Sequence, residues 1–164
     1  MAKKYTIMFV CTGNTCRSPM AAGALQVLLN KKRQGKFSVI SSGISASYKS
    51  PATRFASEVV KMWDADISDH ESQLLTADLI ERSDLILAMA PEHYKEILRL
   101  DPEAVDKVFL FKNFPDQSPV GDGVDDPVGQ SLDRYNETFL EIGEYLGKNL
   151  DEIIRRIDGA VHAV

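Results

Sequence analysis

The chain has 164 residues, a formal net charge of −5 and an isoelectric point near 5.2, and 26% of its residues are charged. This acidic balance gives no support to a nucleic-acid partner or an anionic membrane surface, which favour a basic patch. No apolar run is long enough to span a bilayer. The length suits one domain with a sizeable core, spanning residues 1–164.

The first half of the chain alternates between apolar runs and helix-like runs. "KYTIMFV" (4–10) predicts a buried strand, and the run is too short, and lacks the cleavage site, for a signal peptide. A helix is predicted over 19–34, with Ser18 as its N-cap and a proline in its first turn. A second strand (36–43) and a second helix (50–63) follow.

The second half continues the alternation and adds one long loop. The remaining predicted elements are a short helix (76–83), a strand (84–89), a helix (91–100), a strand (107–111), a loop rich in Pro, Gly and Asp (113–131) and a final amphipathic helix from Ser131. Strands that alternate with helices predict a single α/β domain with a parallel sheet.

Both cysteines lie in "FVCTGNTCRSPMA" (9–21), between the first strand and the first helix. Three interpretations compete: a metal site, a redox pair, or a nucleophile in an anion cradle. Zinc needs about four nitrogen or sulfur ligands, and the three histidines show no paired spacing, which disfavours a metal. Taken alone, a cysteine that ends a strand is often only a small buried apolar residue.

The position of this segment favours the anion cradle. A helix N-terminus offers free N–H groups and a positive dipole end, which bind phosphate. Cys11 is predicted at the carboxyl end of the first strand, where open α/β sheets bind ligands, and Arg17 can hold the same anion bidentately. We expect Arg17 and the dipole to lower the pKa of Cys11, and Ser18 to hydrogen-bond its thiolate. Gly13 and Asn14 tolerate the left-handed backbone that a curled loop needs.

The segment "VCTGNTCRSPMA" closely resembles the signature loop, C-x5-R-S, of low-molecular-weight protein tyrosine phosphatases. "SSG", "ISDHESQLLT", "SDLILAM" and "DDP" match that family in kind and order, so the resemblance covers nearly the whole chain. It implies a four-stranded parallel sheet flanked by helices, with the phosphate loop between strand one and helix one. It also implies hydrolysis of a phosphorylated protein through a phosphocysteine, without metal or other cofactor.

The resemblance assigns roles to individual residues. Cys11 is the expected nucleophile, and Arg17 and the loop N–H groups stabilise the transition state. Asp126, directly before a proline, is the expected general acid, with Asp125 as the fallback. The residues expected to bind the substrate's phosphoryl group, or another oxyanion, are Thr12, Gly13, Asn14, Thr15, Cys16, Arg17 and Ser18.

Residues outside the loop receive supporting roles or none. By resemblance, Asn14 braces the loop, and His70 and Ser42 support it from behind. His93 and His162 are interpreted as solvated surface residues without a function. Cys16 is interpreted either as a spectator or as a partner that captures oxidised Cys11 as a disulfide.

Two positions bear on the substrate. Most tyrosine phosphatases of this family carry a bulky aliphatic where this chain has Thr15, and aromatics where it has Val128. Thr15 resembles the protein arginine phosphatase branch, whereas Val128 replaces the phenylalanine that this branch tends to carry. These two positions leave both substrates open; phosphotyrosine is the predicted substrate and phosphoarginine the alternative.

The sequence disfavours two other classes of protein, and its cysteines bear on the location in the cell. An arsenate reductase needs further cysteines, and none follows Cys16. A non-catalytic phosphate-binding module would not need a cysteine, an arginine and an Asp-Pro together. Two cysteines five residues apart form no secreted disulfide framework, so a cytoplasmic location is expected.

Overall fold

The computed structural model describes residues 3–32 and 35–162, and for residues 161 and 162 it describes the backbone alone. Four parallel strands form one sheet in the order β2-β1-β3-β4. The strands are β1 (Tyr5–Cys11), β2 (Phe37–Gly43), β3 (Leu85–Ala88) and β4 (Val108–Leu110). The predicted four-stranded parallel sheet flanked by helices is confirmed.

Five α-helices connect or follow the strands in the described residues. They are α1 (Arg17–Lys32), α2 (Arg54–Val59), α3 (Ala77–Arg82), α4 (Pro91–Leu100) and α5 (Leu132–His162), and 3-10 helices span Val60–Trp63 and Pro102–Lys107. The helix predicted over 50–63 is therefore a short α-helix followed by a 3-10 helix. The last two positions of the helix predicted over 19–34 lie outside the described residues. None of the helices in the described part of the chain is long and apolar enough to cross a membrane.

The first helix begins two residues earlier than its proline predicts. α1 starts at Arg17, so Ser18 lies inside the first turn and is not the N-cap. The Ser18 hydroxyl is buried and contacts Cys11 Sγ at 2.8 Å and Asn14 Nδ2 at 2.8 Å. The prediction of an N-cap was wrong because this side chain bonds to the loop rather than to its own helix.

The core lies on both faces of the sheet, and the strands alternate between the two. Ile7 and Phe9 of β1 pack with α1, α2 and α5, whereas Met8 and Val10 pack with α3 and α4. All four are fully buried. A strand segment covered on both faces is apolar at every position, which explains why "IMFV" (7–10) shows no polar alternation.

Candidate active site

A tight loop joins the end of β1 to the start of α1. Asn14 adopts a left-handed backbone with φ 57°, as predicted, but Gly13 does not have a positive φ. The end of β2 touches this loop: a Cβ at Gly43 would collide with the Thr12 carbonyl oxygen and lie 2.9 Å from Asn14 N. A glycine at position 43 therefore lets β2 approach the loop.

The buried Asn14 side chain ties the loop to its surroundings. Asn14 Nδ2 donates to Ser18 Oγ at 2.8 Å and to Ser41 Oγ at 2.9 Å. Asn14 Oδ1 accepts from Gln73 N at 2.9 Å, and the Asn14 carbonyl lies 2.6 Å from His70 Nε2. These contacts fix the curl of the loop.

His70 and Ser42, expected by resemblance behind the loop, differ in where they lie. His70 contacts the loop at the Asn14 carbonyl. The Ser42 side chain instead donates to Met8 Sδ at 3.4 Å, and only its carbonyl faces Ser18 Oγ, at 3.4 Å. The hydroxyl that contacts Asn14 belongs to Ser41, because successive side chains of a strand point to opposite faces.

Cys11 ends β1 and its side chain is buried beneath the cavity. Cys11 Sγ lies 2.8 Å from Ser18 Oγ and accepts a hydrogen bond from Asn14 N at 3.3 Å. Burial raises the pKa of the Cys11 thiol above its ordinary value. The Ser18 hydroxyl and the Arg17 charge act to lower the same pKa, but burial outweighs them. The lowered pKa that we expected for Cys11 is therefore not found.

One cavity of about 160 Å³ brings most of the predicted residues together. Its lining residues are Cys11, Thr12, Gly13, Thr15, Cys16, Arg17, Asp126 and Val128. Asn14 and Ser18, also predicted to bind the phosphoryl group, are buried and are not among the lining residues. The cavity thus places a thiol, a guanidinium and a carboxylate around one volume.

Arg17 reaches from the first turn of α1 to the loop before α5. Its Nη1 donates to the Val124 carbonyl at 3.0 Å, and its Nη2 donates to Thr12 Oγ1 at 3.3 Å. Nη2 also lies 3.5 Å from Asp126 Oδ2, and the other Asp126 oxygen accepts from Val128 N at 3.1 Å. Asp125 is absent from the cavity lining.

Cys16 lies in a small polar cluster at the start of α5. Cys16 Sγ lies 3.2 Å from the Tyr135 hydroxyl and 3.5 Å from Thr53 Oγ1. Burial raises the pKa of Tyr135 to about 12, and the hydrogen bond with Cys16 acts in the same direction. Tyr135 therefore stays protonated at neutral pH and can donate to the sulfur.

Mild oxidation is expected to join the two free cysteines. Both cysteines line the same cavity, so a Cys11 sulfenic acid formed by peroxide can be attacked by Cys16, which releases water. We expect mass spectrometry after mild peroxide treatment to find a Cys11–Cys16 disulfide that thiols reverse. In the control, Cys16→Ser, Cys11 should proceed to sulfinic acid. Sulfinic acid on Cys11 of the unsubstituted protein would contradict a protective role for Cys16.

His93 is not the surface residue that the sequence predicts. It is fully buried at the start of α4, and its Nε2 lies 2.8 Å from Thr12 Oγ1. Burial lowers the pKa of His93 to about 4, and the Arg17 charge contributes. The interpretation was wrong because α4 begins at the carboxyl edge of the sheet and directs this side chain towards the loop. For His162 the side chain lies outside the described residues.

Sequence reasoning missed several residues around the cavity. For His93 a signal existed, because it follows β3 at the edge where open α/β sheets bind ligands. No comparable signal marks Tyr135, which the sequence places within the apolar stripe of the final helix. Within the described residues, no group of three or more His, Cys, Asp or Glu side chains is arranged to hold a metal ion. Independence from metal remains a prediction.

Comparison with known proteins agrees with this fold. Residues 6–158 match the family model described as low molecular weight phosphotyrosine protein phosphatase. The chain is 45% identical over 137 residues to the probable low molecular weight protein-tyrosine-phosphatase EpsP of Ralstonia solanacearum, covering 84% of this chain and 88% of that protein. It is 41% identical over 142 residues to a protein-arginine-phosphatase of Bacillus subtilis, covering 85% and 91%.

A solved structure of an arginine phosphatase is also similar. It carries a phosphorylated active-site serine in place of cysteine, and it shares 36% identity and a TM-score of 0.83, covering 93% of this chain and 99% of that one. The family match and these relatives show a protein phosphatase, and its cavity brings a cysteine, an arginine and a carboxylate together. The chain belongs to the low molecular weight phosphotyrosine protein phosphatase family.

Proposed function

We propose that this enzyme hydrolyses phosphotyrosine in proteins through a phosphocysteine intermediate on Cys11, without a metal ion. The observation that carries the proposal is the single cavity that Cys11, Arg17 and Asp126 share. The structure of the related arginine phosphatase with a phosphorylated active-site serine supports a covalent intermediate at this position.

The reaction follows from the positions of three groups. Cys11 Sγ attacks phosphorus, and the bond from phosphorus to the tyrosine oxygen breaks. Asp126 donates its proton to that oxygen, and Arg17 and the loop N–H groups hold the phosphoryl oxygens. Water then attacks the phosphocysteine while Asp126 accepts its proton, which releases phosphate and restores the Cys11 thiolate. Ser18 Oγ, 2.8 Å from Cys11 Sγ, is placed to donate a hydrogen bond to that thiolate.

Ser18 partly offsets the effect of burial on the pKa of Cys11. The hydroxyl has one proton to donate, and it lies near both Cys11 Sγ and the Ser42 carbonyl. When the thiol ionises, the hydroxyl can turn to the thiolate while still accepting from Asn14 Nδ2. Charge-assisted hydrogen bonds of this kind are about twice as strong as neutral ones, so this bond stabilises the thiolate and offsets part of the effect of burial.

Phosphoarginine is the second candidate substrate, and two observations favour it. The side chains that line the cavity include no aromatic ring that could stack on a tyrosine, and Thr15 presents a polar side chain there. The arginine phosphatase of Bacillus subtilis is also among the relatives. For phosphotyrosine, the half-exposed Val128 offers the apolar contact at the mouth.

A side-by-side rate comparison on matched phosphotyrosine and phosphoarginine peptides tests the assignment. We expect a higher kcat/KM on phosphotyrosine, with activity unaffected by chelators. A higher kcat/KM on phosphoarginine would change the assigned substrate to phosphoarginine and leave the proposed mechanism standing. Failure to hydrolyse either peptide would overturn the proposed function.

Thr15→Ile is expected to shift the preference towards phosphotyrosine. The Thr15 hydroxyl can bond a guanidinium, whereas isoleucine offers only apolar surface to a ring. One hydrogen bond contributes about 0.5–1.5 kcal/mol, so the ratio of the two kcat/KM values should change severalfold. Adding Val128→Tyr should enlarge the shift by supplying an aromatic wall.

Thr15→Val is the matched control, because valine has nearly the shape of threonine without its hydroxyl. If Thr15→Val reproduces most of the shift, the hydrogen bond is responsible. If the ratio is the same in all three variants as in the unsubstituted enzyme, Thr15 only shapes the loop through its carbonyl, which accepts from Thr53 N at 3.0 Å.

We also infer that the enzyme acts in the cytoplasm on phosphorylated proteins or peptides, with neither nucleic acid nor membrane as partner. Two cysteines five residues apart form no secreted disulfide framework, which supports a reducing compartment. The net charge of −5 supports the absence of a polyanionic partner.

A further inference from the structure

We propose that His93 is a positioning residue for catalysis, which fixes the Thr12 hydroxyl so that Thr12 orients the Arg17 guanidinium. The proposal rests on the proposed function. Three atoms form a continuous chain: His93 Nε2 lies 2.8 Å from Thr12 Oγ1, and Arg17 Nη2 donates to the same Oγ1 at 3.3 Å. His93 itself is not among the residues that line the cavity, so it can act on the reaction only through Thr12.

The environment of His93 is costly for a residue that only fills space. Its side chain is fully buried, and its Nδ1 has no hydrogen-bond partner within the described residues. A buried polar atom without a partner destabilises the folded state. An apolar side chain of similar size would avoid that cost, so the Nε2 contact is the feature that distinguishes histidine at this position.

Thr12 needs such a partner because its side chain can rotate. Threonine has a methyl group and a hydroxyl on the same carbon, and rotation about χ1 exchanges their positions. With the hydroxyl towards Arg17, Nη2 has the Thr12 oxygen as an acceptor; with the methyl there, only Asp126 Oδ2, 3.5 Å away, is left. A bond from His93 to Oγ1 holds the first rotamer.

This arrangement fixes the orientation of the Arg17 guanidinium plane. Nη1 is bonded to the Val124 carbonyl and Nη2 to Thr12 Oγ1, so the guanidinium is held at two points on different segments. Its remaining N–H donors can then face the cavity that Arg17 lines. Since His93 is neutral at pH 7, with a pKa lowered to about 4, it supports Arg17 without repelling it.

Three substitutions of His93 separate the hydrogen bond from the filling of space. His93→Gln carries an amide nitrogen near the position of Nε2, His93→Asn reaches only the position of Nδ1, and His93→Phe keeps the ring without the bond. We expect His93→Asn and His93→Phe to lower kcat/KM about 3- to 10-fold, the range of one lost hydrogen bond, and His93→Gln to stay within about 2-fold of the unsubstituted enzyme. The control is Tyr94→Phe, the next buried residue of α4, which should leave kcat/KM unchanged.

A double-mutant cycle shows whether His93 acts through Thr12. We expect Thr12→Val to lower kcat/KM, and His93→Phe to add little in the Thr12→Val background. Each rate is divided by the active fraction, measured from the burst of leaving group as the phosphocysteine forms. Full additivity, equal losses in the Gln and Phe variants, or no loss in His93→Phe would overturn the proposal.

Binding of inorganic phosphate separates this proposal from the proposed function. Calorimetry on the same variants should show weaker phosphate binding in His93→Phe and recovery in His93→Gln, because Arg17 holds phosphate whatever the substrate is. Unchanged phosphate affinity in His93→Phe would overturn the positioning role even if the enzyme is a phosphatase. Loss of affinity that Gln restores would support it even if both phosphopeptides prove to be poor substrates.

Discussion

Cys11→Ser is expected to abolish turnover, by a factor on the order of 10⁴ or more, while the protein still binds phosphate and vanadate. Serine keeps the shape of the site, but its hydroxyl ionises far less readily than a thiol and is a weak nucleophile here. The cradle itself should survive, because the contacts of Asn14 with Ser18, Ser41 and Gln73 do not involve Cys11.

Two measurements check this expectation. Phosphate release from a phosphopeptide is followed over hours, and vanadate or phosphate binding is measured by calorimetry on the same sample. A chelator added to the unsubstituted enzyme serves as the control for metal dependence and should change nothing. Activity that survives in Cys11→Ser, or that a chelator removes, would exclude Cys11 as a metal-independent nucleophile.

Asp126→Ala should slow hydrolysis of phosphotyrosine by about 10²–10⁴-fold. The phenolate of tyrosine is a poor leaving group and needs a proton, and Asp126 is the carboxylate that lines the cavity. The leaving group of an activated aryl phosphate departs readily without that proton. Asp126→Ala should therefore slow hydrolysis of such a substrate much less. Burst kinetics distinguish a slower first step from slower hydrolysis of the phosphocysteine.

Asp125→Ala is the matched control, since it removes the same charge one residue away. Asp125 is exposed and lines a neighbouring depression with Glu92 and Val124 instead of the cavity above Cys11. We expect only a small change in kcat/KM. A larger loss in Asp125→Ala than in Asp126→Ala would move the general acid by one residue.

Much of the fold could be predicted because it follows from burial. Strands such as β1 and β3 are buried on both faces, and a run of consecutive apolar residues is the direct consequence. The position of Cys11 and Arg17 around a helix N-terminus follows from the same pattern. The start of α1 was harder, because the sequence shows a proline and a serine but not that the Ser18 hydroxyl bonds to Asn14.

Side-chain partners across the chain were beyond the reach of sequence reasoning. His93 contacts Thr12, which lies 81 residues away in the sequence, and Tyr135 contacts Cys16, which lies 119 residues away. A lone polar residue in a helix can face solvent or the interior with the same local pattern. Ser42 was expected behind the loop, but Ser41 supplies the hydroxyl there, because one residue of register along β2 decides which hydroxyl meets the loop.

The loop before α5 has a consequence for how such an enzyme can change over time. Residues 125–131 are exposed except for Pro127, and they lie between two fixed points. On one side Val124 is buried and bonds to Met89 and Arg17; on the other, Tyr135 of α5 contacts Cys16. This seven-residue stretch carries Val128 at the cavity mouth without contributing to the hydrophobic core. Apart from Asp126 and Pro127, its residues can be exchanged with little effect on folding, so a new specificity can evolve, or be grafted, around Val128 while the general acid is kept.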